Sequence, residues 1–211
     1  MDETETEEFF DVVDEDDQVV DQVARSEVHR RKLRHRAVHV FLFRQDGCLL
    51  IHKRSDTKEE FPSVWTSSCS GHVSAGENYD TAVVRELSEE LGIESAVERQ
   101  RATCNVQLTS QFEELGVESA VERLQKFTAC DETSHEFTVL YRCFSDATVT
   151  PDPKEISDVR WMPVDAIQDW MTGSPDEFSP AFRLLFGWFM ARASPATQAS
   201  GGCQPTGLRF A

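Results

Sequence analysis

No stretch of this chain approaches the roughly 20 consecutive apolar residues that a membrane-crossing helix needs. The nearest, Phe182 to Met190, is interrupted by Arg183 and Gly187. The start has neither the basic run nor the apolar run of a secretory leader. Positive charge is scarce: 21 Lys and Arg stand against 38 Asp and Glu in 211 residues, a formal net charge of -17. Such a field repels phosphate backbones and anionic bilayers, which argues against nucleic acid or a membrane as a bulk partner. The six cysteines, Cys48, Cys69, Cys104, Cys130, Cys143 and Cys203, form no Cys-x-x-Cys pair. A chain of this length can build a core without disulfides, so the expectation is reduced thiols in a cytoplasmic setting.

The length fits one domain with tails. Met1 to Glu8 is rich in acids and reads as a disordered solubilising tail, residues 9–193 as the domain, and residues 194–211, dominated by Ser, Pro, Gly, Thr and Gln, as a second disordered tail. Phe9 to Asp14 and Val19 to Val23 read as a β-hairpin around an acidic turn. Ser26 is placed to cap a short helix through Arg31, and Ala37 to Phe43 follows as a strand. Asp46-Gly47 marks a turn before Cys48 to His52. Trp65 to Ser70, Thr138 to Phe144 and Val159 to Met162 complete the strands, and a short helix opens at Val164. Ser179-Pro180 supplies a cap and a first-turn proline. Phe182, Leu185, Phe186 and Phe189 then recur at helical spacing, as a core-facing stripe does.

Glu89 to Arg99 recurs 24 residues later as Glu113 to Arg123, with Ile93 alone changed, to Val117. Two copies do not make a solenoid. The second copy lacks the Arg85-Glu86 pair that precedes the first, so it is no second site. A looped-out insertion near residues 93–116 is the expectation, since loop closure costs grow slowly with length.

The chemistry concentrates between Gly71 and Ile93. At about 100° per residue, Glu86, Glu89 and Glu90 share one arc of a helix, while Val84, Leu87 and Leu91 point elsewhere. Like charges at these spacings weaken a helix, so an offsetting cation is expected. Carboxylate oxygens suit hard divalent ions, Mg2+ or Mn2+. A cation held by Glu86 and Glu90 would withdraw charge from a diphosphate and acidify a bound water. Glu89 is a third ligand or the base that deprotonates that water.

Gly71, Glu77, Arg85, Glu86, Leu87, Glu89, Glu90, Gly92 and Ile93 match every specified position of the Nudix box, Gly-x5-Glu-x7-Arg-Glu-U-x-Glu-Glu-x-Gly-U, where U is aliphatic. The chain therefore resembles the Nudix superfamily. That resemblance implies an α/β fold, an α/β/α sandwich with a mixed β-sheet and a catalytic loop-helix-loop, here with an N-terminal β-hairpin extension. It also implies that the Gly71 carbonyl joins the metal site and that Glu77 and Arg85 brace the loop.

Further cues, Leu33 to Ala37, Lys53-Arg54 with Lys58, Phe61 to Thr66 and Gly71-His72, resemble the branch containing isopentenyl-diphosphate isomerase and its hydrolase-like relatives. From the isomerases comes the expectation that Arg54 and Lys58 hold a substrate diphosphate, and that His35, His72 and Glu136 are metal ligands. Val28 stands where the isomerases have a further histidine, with His29 adjacent as a substitute. Ser134 replaces a glutamate, and Ser70 replaces the catalytic cysteine. Cys69, one residue earlier, faces the other side of a strand. Glu136 is otherwise a second base or a strand-end charge.

The resulting expectation is a Mg2+-dependent pyrophosphohydrolase acting on a small-molecule diphosphate, a nucleoside diphosphate linked to another moiety or a similar organic diphosphate. Isopentenyl-diphosphate isomerisation is the alternative, and a noncatalytic diphosphate-binding module is the third.

Overall fold

The computed structural model describes residues 7–97, 119–192 and 206–209. The hairpin forms as β1 (Phe9–Val13) and β2 (Val19–Ala24), which make a sheet of their own. Helix α1 (Arg25–Arg31) follows, with Ala24 rather than Ser26 at its N-cap and no side-chain cap. The Ser26 hydroxyl instead donates to Glu7. Val28 faces inward and packs with Phe10 and Val12. Hydrophobic burial therefore attaches this short helix to the hairpin.

The main sheet is mixed. Strands β3 (His35–Phe43), β4 (Leu49–Arg54), β5 (Trp65–Thr66), β6 (Cys69–His72), β7 (Ser95–Val97), β8 (Ser119–Phe127), β9 (Glu136–Phe144), β10 (Ile156–Met162) and β11 (Thr206–Arg209) all belong to it. Its order is β11-β10-β4-β3-β9-β8-β7, with β5 on β4 and β6 on β3. β3 and β9 run parallel along nine register pairs, as do β7 and β8 over three; the remaining neighbours are antiparallel. β11 lies inside the stretch expected to be tail, and it pairs with β10 from Trp161 to Asp158.

One departure from the expected strands positions the site. Trp65 to Ser70 is not one strand but two, because the chain crosses from the edge of β4 to that of β3. β3 and β4 pair only at Phe43 and Leu49 and then splay apart. Ser68 bridges the opening: its hydroxyl donates to Leu50 O at 2.6 Å and accepts from Leu42 N at 2.7 Å. A serine here supplies the hydrogen bonds that a continuous ladder would have supplied.

Helices cover both faces of the sheet. On one, α2 (Tyr79–Leu91) buries Ala82, Val83, Leu87 and Leu91 against Val38, Val40, Val139 and Tyr141. On the other, α3 (Val164–Gly173) and α4 (Pro180–Met190) cover Phe41, Phe43, Leu49 and Ile51. The stripe Phe182, Leu185, Phe186 and Phe189 is core, with Phe41 edge-on to both Phe182 and Phe189. Burying each such side chain contributes about 1.5–3 kcal/mol. Ser179 caps α4 by accepting from Phe182 N.

β7 and β8 come from the two copies of the repeat. Ser95, Ala96 and Val97 sit beside Ser119, Ala120 and Val121, each residue next to its own duplicate. The rest of the expected insertion, residues 98–118, lies outside the described residues, as do residues 1–6 of the acidic start. Cys69 and Cys130 are free thiols but Cys48 is disulfide-bonded, so the expectation of six reduced cysteines does not hold.

Candidate functional site

Helix α2 starts where the Asn78 carboxamide accepts from Thr81 N and stops at Gly92, whose φ of 67° closes it in the left-handed region. Between those ends, Glu86 and Glu90 do not face solvent. They are 8% and 6% exposed and turn toward β6. Gly71 makes this possible, because a Cβ there would lie 2.0 Å from the Glu86 carboxyl. Glu90 accepts from Ser70 N at 3.1 Å.

Burial pushes Glu86 up to about 7 despite the adjacent Arg85 guanidinium. Glu90 is pushed up to about 8, by burial first and the Glu86 charge second. Two buried carboxylates, only one of them paired with an arginine, fit a divalent cation. Glu89 is different, with its side chain 61% exposed at the cavity mouth.

Arg85 ties loop to helix. Its guanidinium donates to both Glu77 oxygens, to His72 O, to Glu86 Oε1 at 2.7 Å and to Glu89 Oε2 at 3.0 Å. Glu77 in turn accepts from Ser74 N. Glycine loop and acidic helix are thus joined through one guanidinium.

A second group reaches the same cavity through His72 and Glu136. His29 on α1, His35 at the start of β3 and His72 at the end of β6 bring ring nitrogens within 4.8 Å of one another. Glu136, opening β9 beside His35 in the parallel register, places Oε1 3.1 Å from His72 Nε2 and 3.5 Å from His35 Nε2. His35 Nδ1 donates to Leu33 O at 2.9 Å, which leaves Nε2 as the ring nitrogen facing Glu136. The Nε2 atom of His29 is buried without a hydrogen-bond partner. That is a cost unless something coordinates it.

Burial holds His29 down at about 4, and His72 is lowered for the same reason. Although burial opposes charge on both His35 and Glu136, their mutual attraction prevails, raising the histidine and lowering the carboxyl, the latter helped by His72. Phe10 stacks over His35 and His72, with centroids 5.6 and 4.6 Å away. Imidazole donors with a carboxylate fit a borderline transition metal better than Mg2+.

The cavity between these walls measures about 350 Å³ and is lined by Gly71, His72, Glu86, Glu89, Glu90 and Glu136 among others. Arg54 and Lys58 line it too, but their charged ends are engaged. The Arg54 guanidinium donates to Glu60 O and Phe61 O, and Lys58 pairs with Glu155. Ser70 lines the cavity, whereas Cys69 is fully buried with its thiol pushed well above its usual range by burial.

Two participants were missed or left open by sequence reasoning. His29, not Val28, joins the histidines, because α1 turns Val28 into the hairpin core. Glu155 lines the cavity and its charge bears on both Glu86 and Glu90. Nothing near Glu155 in sequence marks it; only the β4–β10 pairing brings it across.

Sandwich topology, the glycine-loop-helix unit and the inward carboxylates define a Nudix-type domain. The model of the NUDIX domain matches residues 33–182, and the chain belongs to that family. It is 28% identical over 178 residues to an isopentenyl-diphosphate Delta-isomerase of Serratia proteamaculans, covering 84% of this chain and 89% of that one. Over 85 residues it is 45% identical to an uncharacterized Nudix hydrolase of Streptomyces coelicolor, covering 40% and 47%. A crystal structure of a Deinococcus radiodurans protein superposes with a TM-score of 0.62 at 29% identity, covering 79% and 90%. Among the described residues, no helix is long and apolar enough to cross a membrane.

Proposed function

We infer that the chain is a Nudix pyrophosphohydrolase using Mg2+ or Mn2+ to cleave a nucleoside diphosphate linked to another moiety, or a similar organic diphosphate. The observation that carries this reading is the pair of buried carboxylates, Glu86 and Glu90, which share a cavity wall with Gly71 and are only partly neutralised by Arg85. With Gly71 O, they would hold the cation, which when bound neutralises phosphate charge and acidifies water. Glu89, exposed and aligned by Arg85, would take the proton of the attacking water. Arg54 and Lys58, at the cavity wall, would exchange their present partners for phosphate oxygens. Glu136, its carboxyl held low by two histidines, is a weak base and is better suited to holding a cation with them.

A second reading, isomerisation of isopentenyl diphosphate, is favoured by the convergence of His29, His35, His72 and Glu136, and by relatives named for that reaction. Against it stands Ser70 in place of the isomerases' cysteine, since a serine hydroxyl is a poor proton donor to carbon. Incubation with Mg2+ and a panel of nucleotide sugars, dinucleotides, coenzyme A and isoprenoid diphosphates, tracking phosphate-containing and isomer products together, separates the two. Cleavage of a P–O–P bond is expected. Isomer without cleavage would reverse the ranking, and tight binding without turnover would favour a noncatalytic binding module.

A further inference from the structure

The N-terminal hairpin belongs neither to the main sheet nor to the helices that cover it, yet Phe10 on β1 lines the cavity. The hairpin is a two-stranded sheet with a small core of its own, Phe10, Val12 and Val28, and β2 turns Val19 and Val20 to solvent. An isolated pair of strands is marginal in water. Helix α1, at seven residues, is too short to hold its shape alone. Phe10, stacked on His35 and His72, and His29 on α1 are therefore placed by whatever fastens the hairpin to the body.

At its open end, Phe9 O accepts from Ala75 N at 2.8 Å and Asp11 accepts from Gly76 N at 3.0 Å. The turn end carries an exposed pair, Glu15 with Arg34, and a buried acid, Asp17. Exposed pairs hold little. Asp17 is 6% exposed and sits at a φ of 60°, a conformation that Asp and Asn adopt more readily than most residues. The Arg36 guanidinium donates to Asp17 Oδ1 and to Asp17 O, each at 2.6 Å. The Tyr79 hydroxyl, at 3.0 Å, and Lys126 Nζ donate to Oδ2. One carboxylate thus joins the hairpin to β3, to the first residue of α2 and to β8. Although burial opposes its charge, Lys126, Arg36 and Tyr79 hold the Asp17 carboxyl below its ordinary range.

The receiving surface is cationic. Arg36, Arg123 and Lys126 place their charged groups 5.6, 5.5 and 5.7 Å from the centroid of the Tyr79 ring. Residues three apart on a strand ordinarily face opposite sides. The register of β8 shifts between Arg123 and Gln125, which brings Arg123 and Lys126 to the same ring. In a chain of net charge -17, three cations around one buried tyrosine form a socket for an anion, and Asp17 fills it.

We propose that Asp17 is a positioning residue for the imidazole wall of the cavity: as a latch it fixes the angle of the hairpin, and through Phe10 and α1 it holds His29 within reach of His35 and His72. Two fastened ends fix the orientation of a ribbon, whereas one leaves a pivot. The carboxylate wall does not share this dependence, because Arg85 ties the glycine loop to α2 without the hairpin. The proposal rests on the histidines holding a cation, but half of its test reads no metal.

Asp17→Asn keeps the size of the side chain and tolerates the left-handed backbone, but removes the charge. In Zn2+ titrations with excess Mg2+, affinity at the histidines should fall by about 10–100-fold, as when a metal site loses an outer positioning group. Mg2+ affinity at the carboxylate wall should change by less than about threefold. Hydrogen exchange without metal should quicken by about tenfold or more at the Val13 amide, which bonds across to Arg34 O, and stay unchanged at Val38 and Val139 in the main sheet. Asp16→Asn, an equal charge change at an exposed position of the same turn, should do neither. Lys126→Met should act in the same direction as Asp17→Asn, and the double variant should lose little more than either, because both remove one contact. Lys126 is partly exposed, so its variant decides the matter if Asp17→Asn fails to fold.

Unchanged Zn2+ affinity and Val13 exchange in Asp17→Asn would overturn the proposal. So would equal weakening of both walls, or an equal effect of Asp16→Asn. If the native chain bound no Zn2+ at the histidines, the metal reading would fall, and the Val13 exchange rate alone would decide whether Asp17 latches the hairpin.

Discussion

The carboxylate wall on α2 and the imidazole wall assembled from α1, β3, β6 and β9, which reaches the same cavity through His72 and Glu136, are built in opposite ways. Glu86, Glu89 and Glu90 lie within five residues of sequence, and their chemistry is written in that spacing. Their oxygens nonetheless do not converge: Arg85 holds Glu86 and Glu89, while Ser70 N holds Glu90. His29, His35, His72 and Glu136 are scattered over more than a hundred residues. Even so, the three histidines form the converged three-donor group among the described residues. Spacing alone marks the candidate ligands of the first wall, whereas those of the second are legible only through family resemblance, and tertiary structure brings His29 to them.

The largest expected effect separates the walls by function. Glu90→Gln should lower Mg2+-dependent diphosphate cleavage by about 10^3-fold, the loss of roughly 4 kcal/mol of transition-state stabilisation. His35→Gln should cost less than about tenfold in the same assay. Glu114→Gln, in the second copy of the repeat, should leave the rate unchanged, because that copy has no counterpart of Arg85 or Glu86. Steady-state kinetics on one substrate compares all three variants; unaltered cleavage by Glu90→Gln would disprove the proposed metal site.

Acidity should act on two buried histidines of the sheet and on the carboxylate wall with opposite sign. His39 and His52 are fully buried and held at about 4 and about 3 by burial, below the ordinary 6.5. The unfolded chain therefore takes up protons that the fold refuses, and stability falls as pH drops below 6.5. Between pH 7 and pH 5 each contributes a loss of about 2 kcal/mol. Glu86 and Glu90 behave the other way. Their folded values lie above the ordinary 4.5, so their contribution is fully present below that value and is lost as pH rises through about 7 to 8. Denaturant titrations of chelator-treated protein should show stability falling on both sides of a maximum. Added Mg2+, or Glu90→Gln, should flatten the alkaline side alone. An alkaline slope indifferent to both would mean that the carboxylates are compensated by something else.

These burial effects mark where sequence reading stops. The spacing of Glu86, Glu89 and Glu90 on one helical arc is legible, but not that two of them turn inward. That depends on Gly71 having no side chain where β6 meets α2. The aromatic stripe of α4 and the capped start at Ser179 are local patterns and form as read. Trp65 to Ser70 divides into two strands because β3 and β4 splay, a long-range event with no local signature. His29 is obscured by register: the helical turn that aims it at His72 also sends Val28 into the core beside Phe10.

A smaller effect tests whether the imidazole wall is a separate metal site. His29→Ala should weaken binding of Zn2+ or Mn2+ at that wall by about 10–100-fold. Cleavage supported by Mg2+ should change by less than about threefold. Equilibrium metal titration reads the first quantity and kinetics the second. If cleavage collapsed along with affinity, the two walls would be one hydrolytic centre.

The smallest expected effect concerns the repeat that shares its first residues with α2. Ser95, Ala96 and Val97 run parallel to their own duplicates in β8, so the outermost strand is a second version of the one beside it. Neighbouring strands are about 4.8 Å apart. A chain leaving α2 at Gly92, with Ile93 anchored in the core, therefore has to shift by a single strand spacing to enter β8 directly. Deleting residues 95–118 joins Glu94 to Ser119 and leaves the local sequence Glu-Ser-Ala-Val-Glu-Arg unchanged. Closing a loop of different length alters stability by only about 0.6 kcal/mol per doubling. The shortened chain should fold, melt within a few degrees of the full chain and retain cleavage within about threefold. Circular dichroism and the same kinetic assay decide it. A shortened chain that failed to fold, or lost cleavage more than tenfold, would mean that β7 supports the carboxylate wall and is not a spare copy of β8.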